Sequence, residues 1–189
     1  MAREVSTFGP SALATPANAV TFVRLLVTVP FLVLVADTPA TWPGVLFWIV
    51  LCVTDGIDGW LARKQGTTRS GAFLDPLADK VLVLGAMVVL VGVGVYWWLP
   101  VAVVALRELT IQAFRSYWVR RGLSVPASRW AKVKTVVQEI AVGFALLPWT
   151  ADNDRVIDLT MTVAVVITVV TGVRYLQAGS RGTRTGGSL

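Results

Sequence analysis

Residues 43–62 read Pro43-Gly-Val-Leu-Phe-Trp-Ile-Val-Leu-Cys-Val-Thr-Asp55-Gly-Ile-Asp58-Gly59-Trp-Leu-Ala62. A block of this length and apolarity suits a helix crossing a hydrocarbon core of ~30 Å. Its second half nevertheless carries two carboxylates. Outward in both directions the chain repeats the pattern, with apolar blocks at 19–36, 77–96, 98–119, 133–150 and 156–176. Turn signals separate them: Asp37–Pro43, a polar stretch at 64–76, the region of Pro100, Gly122–Lys132 and Asp152–Arg155. Tyr96-Trp97-Trp98 leaves the third boundary open between an interfacial aromatic belt and a continuous span. Gly85, Gly92 and Gly94 in the third block suit close helix packing in lipid.

Composition agrees with the blocks. Apolar residues make up 55% of the 189 and charged residues only 15%, against about 25% charged in ordinary soluble domains. Disorder is excluded, since it requires low hydrophobicity and high charge. The chain reads as an all-α integral membrane protein with six transmembrane helices over 19–177. Residues 1–18 form a juxtamembrane segment and 178–189 a flexible tail.

Charge placement orients it. Stretches 1–18, 63–80, 115–134 and 174–189 hold nearly all the Lys and Arg, while the alternate loops hold only Arg155. The positive-inside rule then puts the N- and C-termini in the cytoplasm of a multi-pass protein of the cell membrane. Most of the net charge of +6 is thus topological, and no nucleic acid is needed to explain it. The first block is not a cleaved signal peptide, because further spans follow. There is no His and a single Cys, so an acid or base must be a carboxylate, Lys, Tyr or that cysteine. Cys52 reads as a small packing residue, and the eight tryptophans as mostly interfacial anchors.

The chemistry concentrates between Asp55 and Lys80. Asp55 and Asp58 are three residues apart and Asp75 and Asp79 four, so each pair shares a helix face. A short cytoplasmic loop joins the two helices and makes them antiparallel, which brings four carboxylates together. Each Asp at mid-membrane costs about 2.5–3.5 kcal/mol, so four approach the roughly 5–15 kcal/mol that stabilises a whole protein. Arg63 and Lys80 compensate only part of this. Hard divalent cations with oxygen ligands, Mg²⁺ or Mn²⁺, are the natural partners, and two such ions suit a pyrophosphate. Gly59 and Gly71 leave room for a planar ligand, and Arg63 reaches toward a phosphate. The plainer reading, acidic ends that merely pack two helices, accounts for one pair of acids but poorly for four with these neighbours.

The whole segment, Asp55-x2-Asp58-Gly59-x2-Ala62-Arg63, seven residues, Gly71-x3-Asp75-x3-Asp79, resembles the signature of the CDP-alcohol phosphatidyltransferases at every fixed position. The resemblance implies a six-helix membrane fold, usually a homodimer, that transfers a phosphatidyl group from a CDP-linked lipid to an alcohol and releases CMP. It implies that Asp55, Asp58, Asp75 and Asp79 bind metal, that Asp79 also acts as the base, and that Gly59, Arg63, Thr68 and Gly71 contact CDP-diacylglycerol.

Residues outside the signature select the acceptor. Arg107-Glu108, Arg115, Lys132, Lys134 and Gln138, with Arg120-Arg121-Gly122 and Pro126-Ala127-Ser128, are similar to members of the family that use glycerol 3-phosphate. Arg107 lies deep in an apolar block, where a phosphorylated acceptor would pair with it directly. Arg107, Arg115, Lys132 and Lys134 are therefore the candidate ligands of the acceptor phosphate, with Glu108 orienting Arg107. Arg120, Arg121 and Arg129 fit snorkelling and topology better. Asn18, Thr21 and Arg24 are secondary candidates that could equally cap and anchor the first helix. Competing expectations are another acceptor, such as inositol phosphate, phosphatidylglycerol or serine, and, from a different class, a divalent-cation transporter.

Overall fold

The structure, a computed structural model, describes residues 16–65, 71–120 and 129–184, with side chains over 19–56, 78–114, 116–117 and 133–177. Among the described residues the chain is helical throughout, without a strand: α1 (Pro16–Asp37), α2 (Trp42–Gln65), α3 (Gly71–Gly92), α4 (Trp98–Arg120), α5 (Arg129–Leu146) and α6 (Asp154–Arg184), with a 3₁₀ turn at Pro148–Thr150. Six helices match the number of apolar blocks, but their limits differ.

Helix α1 begins at Pro16, three residues before its apolar block, because proline lacks only an N–H that the first turn leaves unused. Helix α3 starts at Gly71 rather than 77, so Asp75 and Asp79 lie on one helix, as their spacing requires, and Gly71 opens it. It stops at Gly92, so a continuous span through Tyr96-Trp97-Trp98 does not occur. Gly94, at φ +81°, supplies the left-handed residue; its N–H donates to Val91 O (3.1 Å) and that of Val95 to Leu90 O (2.9 Å). This is a Schellman ending, which favours glycine. Helix α5 ends at Leu146, ahead of Pro148. Helix α6 continues to Arg184, so residues 178–184 of the expected flexible tail are helical.

Helices α1 and α2 form an antiparallel hairpin. Phe31 stacks on Trp48 at 5.5 Å between ring centroids, and about two turns further on Arg24 meets Asp55. Helix α3 packs beside α1, α5 against α6 and α4 against α6. Gly85 lets α3 approach α1, since a Cβ there would stand 3.1 Å from Leu32 Cδ1. Neither Gly92 nor Gly94 meets a neighbouring atom in this way.

One half of the interior is apolar, built on Phe31, Val35, Trp48, Met87, Leu90 and Leu146. Trp48 is 3% exposed and belongs to this core, which corrects its reading as an anchor. Trp42 and Trp149, by contrast, are exposed and pack edge to face at one end of the molecule. The other half of the interior is polar, with Thr21, Arg24, Glu108, Lys134, Gln138 and Thr168 buried, while Leu26, Val33, Leu106 and Leu159 face outward. A polar interior inside an apolar exterior suits a protein solvated by lipid. Two stretches, Ala19–Asp37 and Asp154–Gln177, are long and apolar enough to cross a membrane, and Trp42–Gly56 is a shorter one.

Candidate active site

Helix periodicity builds the polar half. Successive residues on a helix point about 100° apart, so neighbours in sequence serve different partners. On α5, Gln138 Nε2 turns to α6 and donates to Thr168 Oγ1 (2.8 Å). The next residue, Glu139, is turned toward α2 and α3. On α4, Arg107 faces α6 while Glu108 faces α5.

Asp55 on α2, Asp79 on α3 and Glu139 on α5 converge, each offering a carboxylate oxygen within 4.8 Å of the others. Asp79 lies in the field of Asp55, Lys134, Lys80 and Glu108. Arg24, 3% exposed, reaches from α1 and forms an ion pair with Asp55. Trp48 Nε1 donates to Glu139 O (3.1 Å) and sets the register of α5 on α2. A groove between these two helices, lined by Trp48, Cys52, Val136 and Gly143, opens onto Glu139. Cys52, half-buried against the core, is a packing residue as its surroundings implied.

The donor set answers whether a metal fits. Three carboxylates gathered in a polar pocket of an apolar protein are hard oxygen ligands, the kind that Mg²⁺ and Mn²⁺ prefer. Glu139 was absent from the sequence reading. The signal was available, because an acid inside the apolar block 133–150 carries the same burial cost that singled out the aspartates.

The remaining candidates divide in three. Asp55, Asp79, Arg24 and Thr21 are brought into the polar half; Thr21 is fully buried there, and Arg24 serves the carboxylates directly. Lys134, 7% exposed, donates to Glu108. Arg107 is differently placed from the expectation. Its Nη1 donates to Glu108 Oε1 (2.9 Å), its Nε to Thr168 O (3.1 Å) and its Nη2 to Thr171 Oγ1 (3.3 Å). Two of these three partners belong to α6, so Arg107 is hydrogen-bonded within the protein. Asn18, Asp58, Gly59, Arg63, Gly71, Asp75, Arg115 and Lys132 lie within helices, but their surroundings fall outside the described residues, and Thr68 is outside them altogether.

Residues 14–173, which hold both halves of the carboxylate cluster, match the family described as CDP-alcohol phosphatidyltransferase. The chain belongs to that family. It is accordingly an enzyme, a phosphatidyltransferase. Similar proteins include a "probable phosphatidylglycerophosphate synthase" of Mycobacterium tuberculosis (strain CDC 1551 / Oshkosh), 36% identical over 180 residues that cover 92% of this chain and 85% of the relative. The "CDP-diacylglycerol--glycerol-3-phosphate 3-phosphatidyltransferase" of Escherichia coli (strain K12) is 39% identical over 161 residues, covering 81% of this chain and 88% of the relative. The protein of the same name in Shigella flexneri serotype 5b (strain 8401) is 40% identical over the same length. For a CDP-alcohol phosphatidyltransferase the polar half has an immediate use, since its substrates carry pyrophosphate and the bilayer supplies the lipid.

Proposed function

We infer that this phosphatidyltransferase moves the phosphatidyl group of CDP-diacylglycerol to glycerol 3-phosphate, giving phosphatidylglycerol phosphate and CMP. The observation that carries the reading is the convergence of Asp55 and Asp79 with the buried cation Lys134 close by, in a chain similar along most of its length to named glycerol-3-phosphate transferases. A general divalent-cation pathway explains the acids but not the neighbouring cations.

Asp55, Asp79 and Glu139, together with Asp58 and Asp75 of the signature, are the residues that would hold Mg²⁺ or Mn²⁺. When bound, such an ion polarises the pyrophosphate and offsets the charge that develops on the departing phosphate. Asp79 accepts the proton of the C1 hydroxyl of glycerol 3-phosphate. The hydroxyl oxygen then forms a bond to the lipid-side phosphorus while the bond from that phosphorus to the CMP oxygen breaks. Arg63 compensates the charge left on CMP, and Lys134 holds the acceptor phosphate, with Arg115 and Lys132 beside it. Arg24 keeps Asp55 turned into the site from the α1 side. The basic loops support an active site that faces the cytoplasm, and the family resemblance supports a homodimer.

The test incubates purified protein with CDP-diacylglycerol, Mg²⁺ and a panel of alcohols. CMP release with glycerol 3-phosphate alone supports the reading. Release only with another alcohol reassigns the acceptor, and metal flux into proteoliposomes without CDP-lipid favours a transporter.

A further inference from the structure

Arg107 and Glu108 on α4 and Lys134 on α5 form a largely buried string that α6 borders. Glu108, 5% exposed, accepts hydrogen bonds at Oε1 from both Arg107 and Lys134. Arg107 is fastened at its other end. Besides its bonds to Thr168 O and Thr171 Oγ1, it lies in a notch at Gly172, where a Cβ would stand 2.9 Å from Nε and 3.1 Å from Cγ. Thr171 is itself oriented, because its hydroxyl donates to Ile167 O (2.7 Å) and so presents a lone pair to Arg107. To reach a substrate, Arg107 would have to give up three hydrogen bonds and a fitted recess.

The charges suggest another use. The string holds two cations and one anion. If Arg107 neutralises Glu108, the charge of Lys134 is not consumed within the string and acts on Asp79 in the carboxylate cluster. Without Arg107, Lys134 and Glu108 would form a neutral pair, and Lys134 would attract an anion less strongly.

We propose that Arg107 and Glu108 are positioning residues: Arg107 neutralises Glu108 from the α6 side, and Glu108 in turn places Lys134, whose charge, not consumed by Glu108, holds the acceptor's phosphate. The proposal rests on the glycerol 3-phosphate reading above. It replaces direct contact between Arg107 and the phosphate.

The experiment measures CMP release by the full chain with CDP-diacylglycerol and Mg²⁺, and determines KM separately for glycerol 3-phosphate and for the CDP-lipid. R107Q should raise the acceptor KM about tenfold, or about 1.4 kcal/mol, with the CDP-lipid KM within about twofold. E108Q, which frees Lys134 but removes its anchor, should raise it about threefold, since hydrogen bonds of this kind contribute modestly. The double variant R107Q/E108Q should match E108Q alone, because no acid remains for Arg107 to neutralise. G172A keeps every charge and crowds Arg107, so it should raise the acceptor KM in the wild-type background and leave it unchanged in E108Q. It also serves where R107Q does not fold. Multiplying effects in the double variant, about thirtyfold together, would mean that Arg107 touches the phosphate itself and would overturn the proposal. So would an unchanged KM in R107Q or G172A. Failure of the wild type to release CMP with glycerol 3-phosphate is seen before any variant is made, and removes the acceptor reading and this proposal together.

Discussion

Arg24 on α1 and Asp55 on α2, 31 residues apart, form a partly buried ion pair that ties the first helix to the carboxylate cluster. The pair places a cation from outside the family signature against the first aspartate of that signature. It also explains how a chain tolerates an arginine in its first apolar block, since the charge is turned inward.

Arg24→Gln therefore leaves Asp55 without its α1 partner. Breaking a buried pair typically costs about 3–5 kcal/mol, and the Asp55 side chain is 30% exposed, so the lower end applies. Thermal unfolding in detergent should fall by several degrees and CMP release should drop. Arg24→Lys should recover part of both, and an unchanged melting temperature for Arg24→Gln would remove the pair from the fold's support.

Asp79→Asn keeps the shape of the side chain but cannot take the acceptor's proton. Turnover should be abolished while CDP-lipid binding, followed by equilibrium dialysis with a labelled nucleotide, largely survives. Full activity in this variant would take Asp79 out of the role of base.

Chelation should abolish activity, and added Mg²⁺ or Mn²⁺ should restore it. Glu139→Gln removes a charge from the cluster without changing its volume, so the Mn²⁺ concentration giving half-maximal activity should rise severalfold. Direct Mn²⁺ binding by electron paramagnetic resonance should weaken in parallel. Identical binding in wild type and variant would exclude Glu139 as a ligand.

Gly94→Ala tests the turn at the opposite end of the molecule. A left-handed backbone costs an L-residue about 1–2 kcal/mol, and at φ +81° that cost falls directly on stability. The melting temperature should fall while both KM values stay unchanged. A change in acceptor KM would mean that the turn communicates with the site.

The polar half shows how unevenly the sequence disclosed the site. Asp55 and Asp79 were legible because signature spacing and intramembrane cost both point at them. Glu139 obeyed the same cost rule but stands alone in its block, and one acid carries no spacing. Arg107 was read from its depth in an apolar block and from the family resemblance, yet depth does not name a partner. The partners, Thr168, Thr171 and the recess at Gly172, lie more than sixty residues further along the chain. Trp48 likewise looked like the other tryptophans until α5 was seen packed against it.

Helix number, apolar character, family and the aspartates of the carboxylate cluster followed from the sequence by itself, because each rests on local periodicity or on residues within one short segment. The docking of α5 and α6 against α2 to α4 was decided only in the tertiary structure. It gathers the third carboxylate and gives Arg107 its partners on α6. Contacts between helices depend on which faces meet, and many pairings of such faces bury similar apolar area. Only the assembled bundle selects among them.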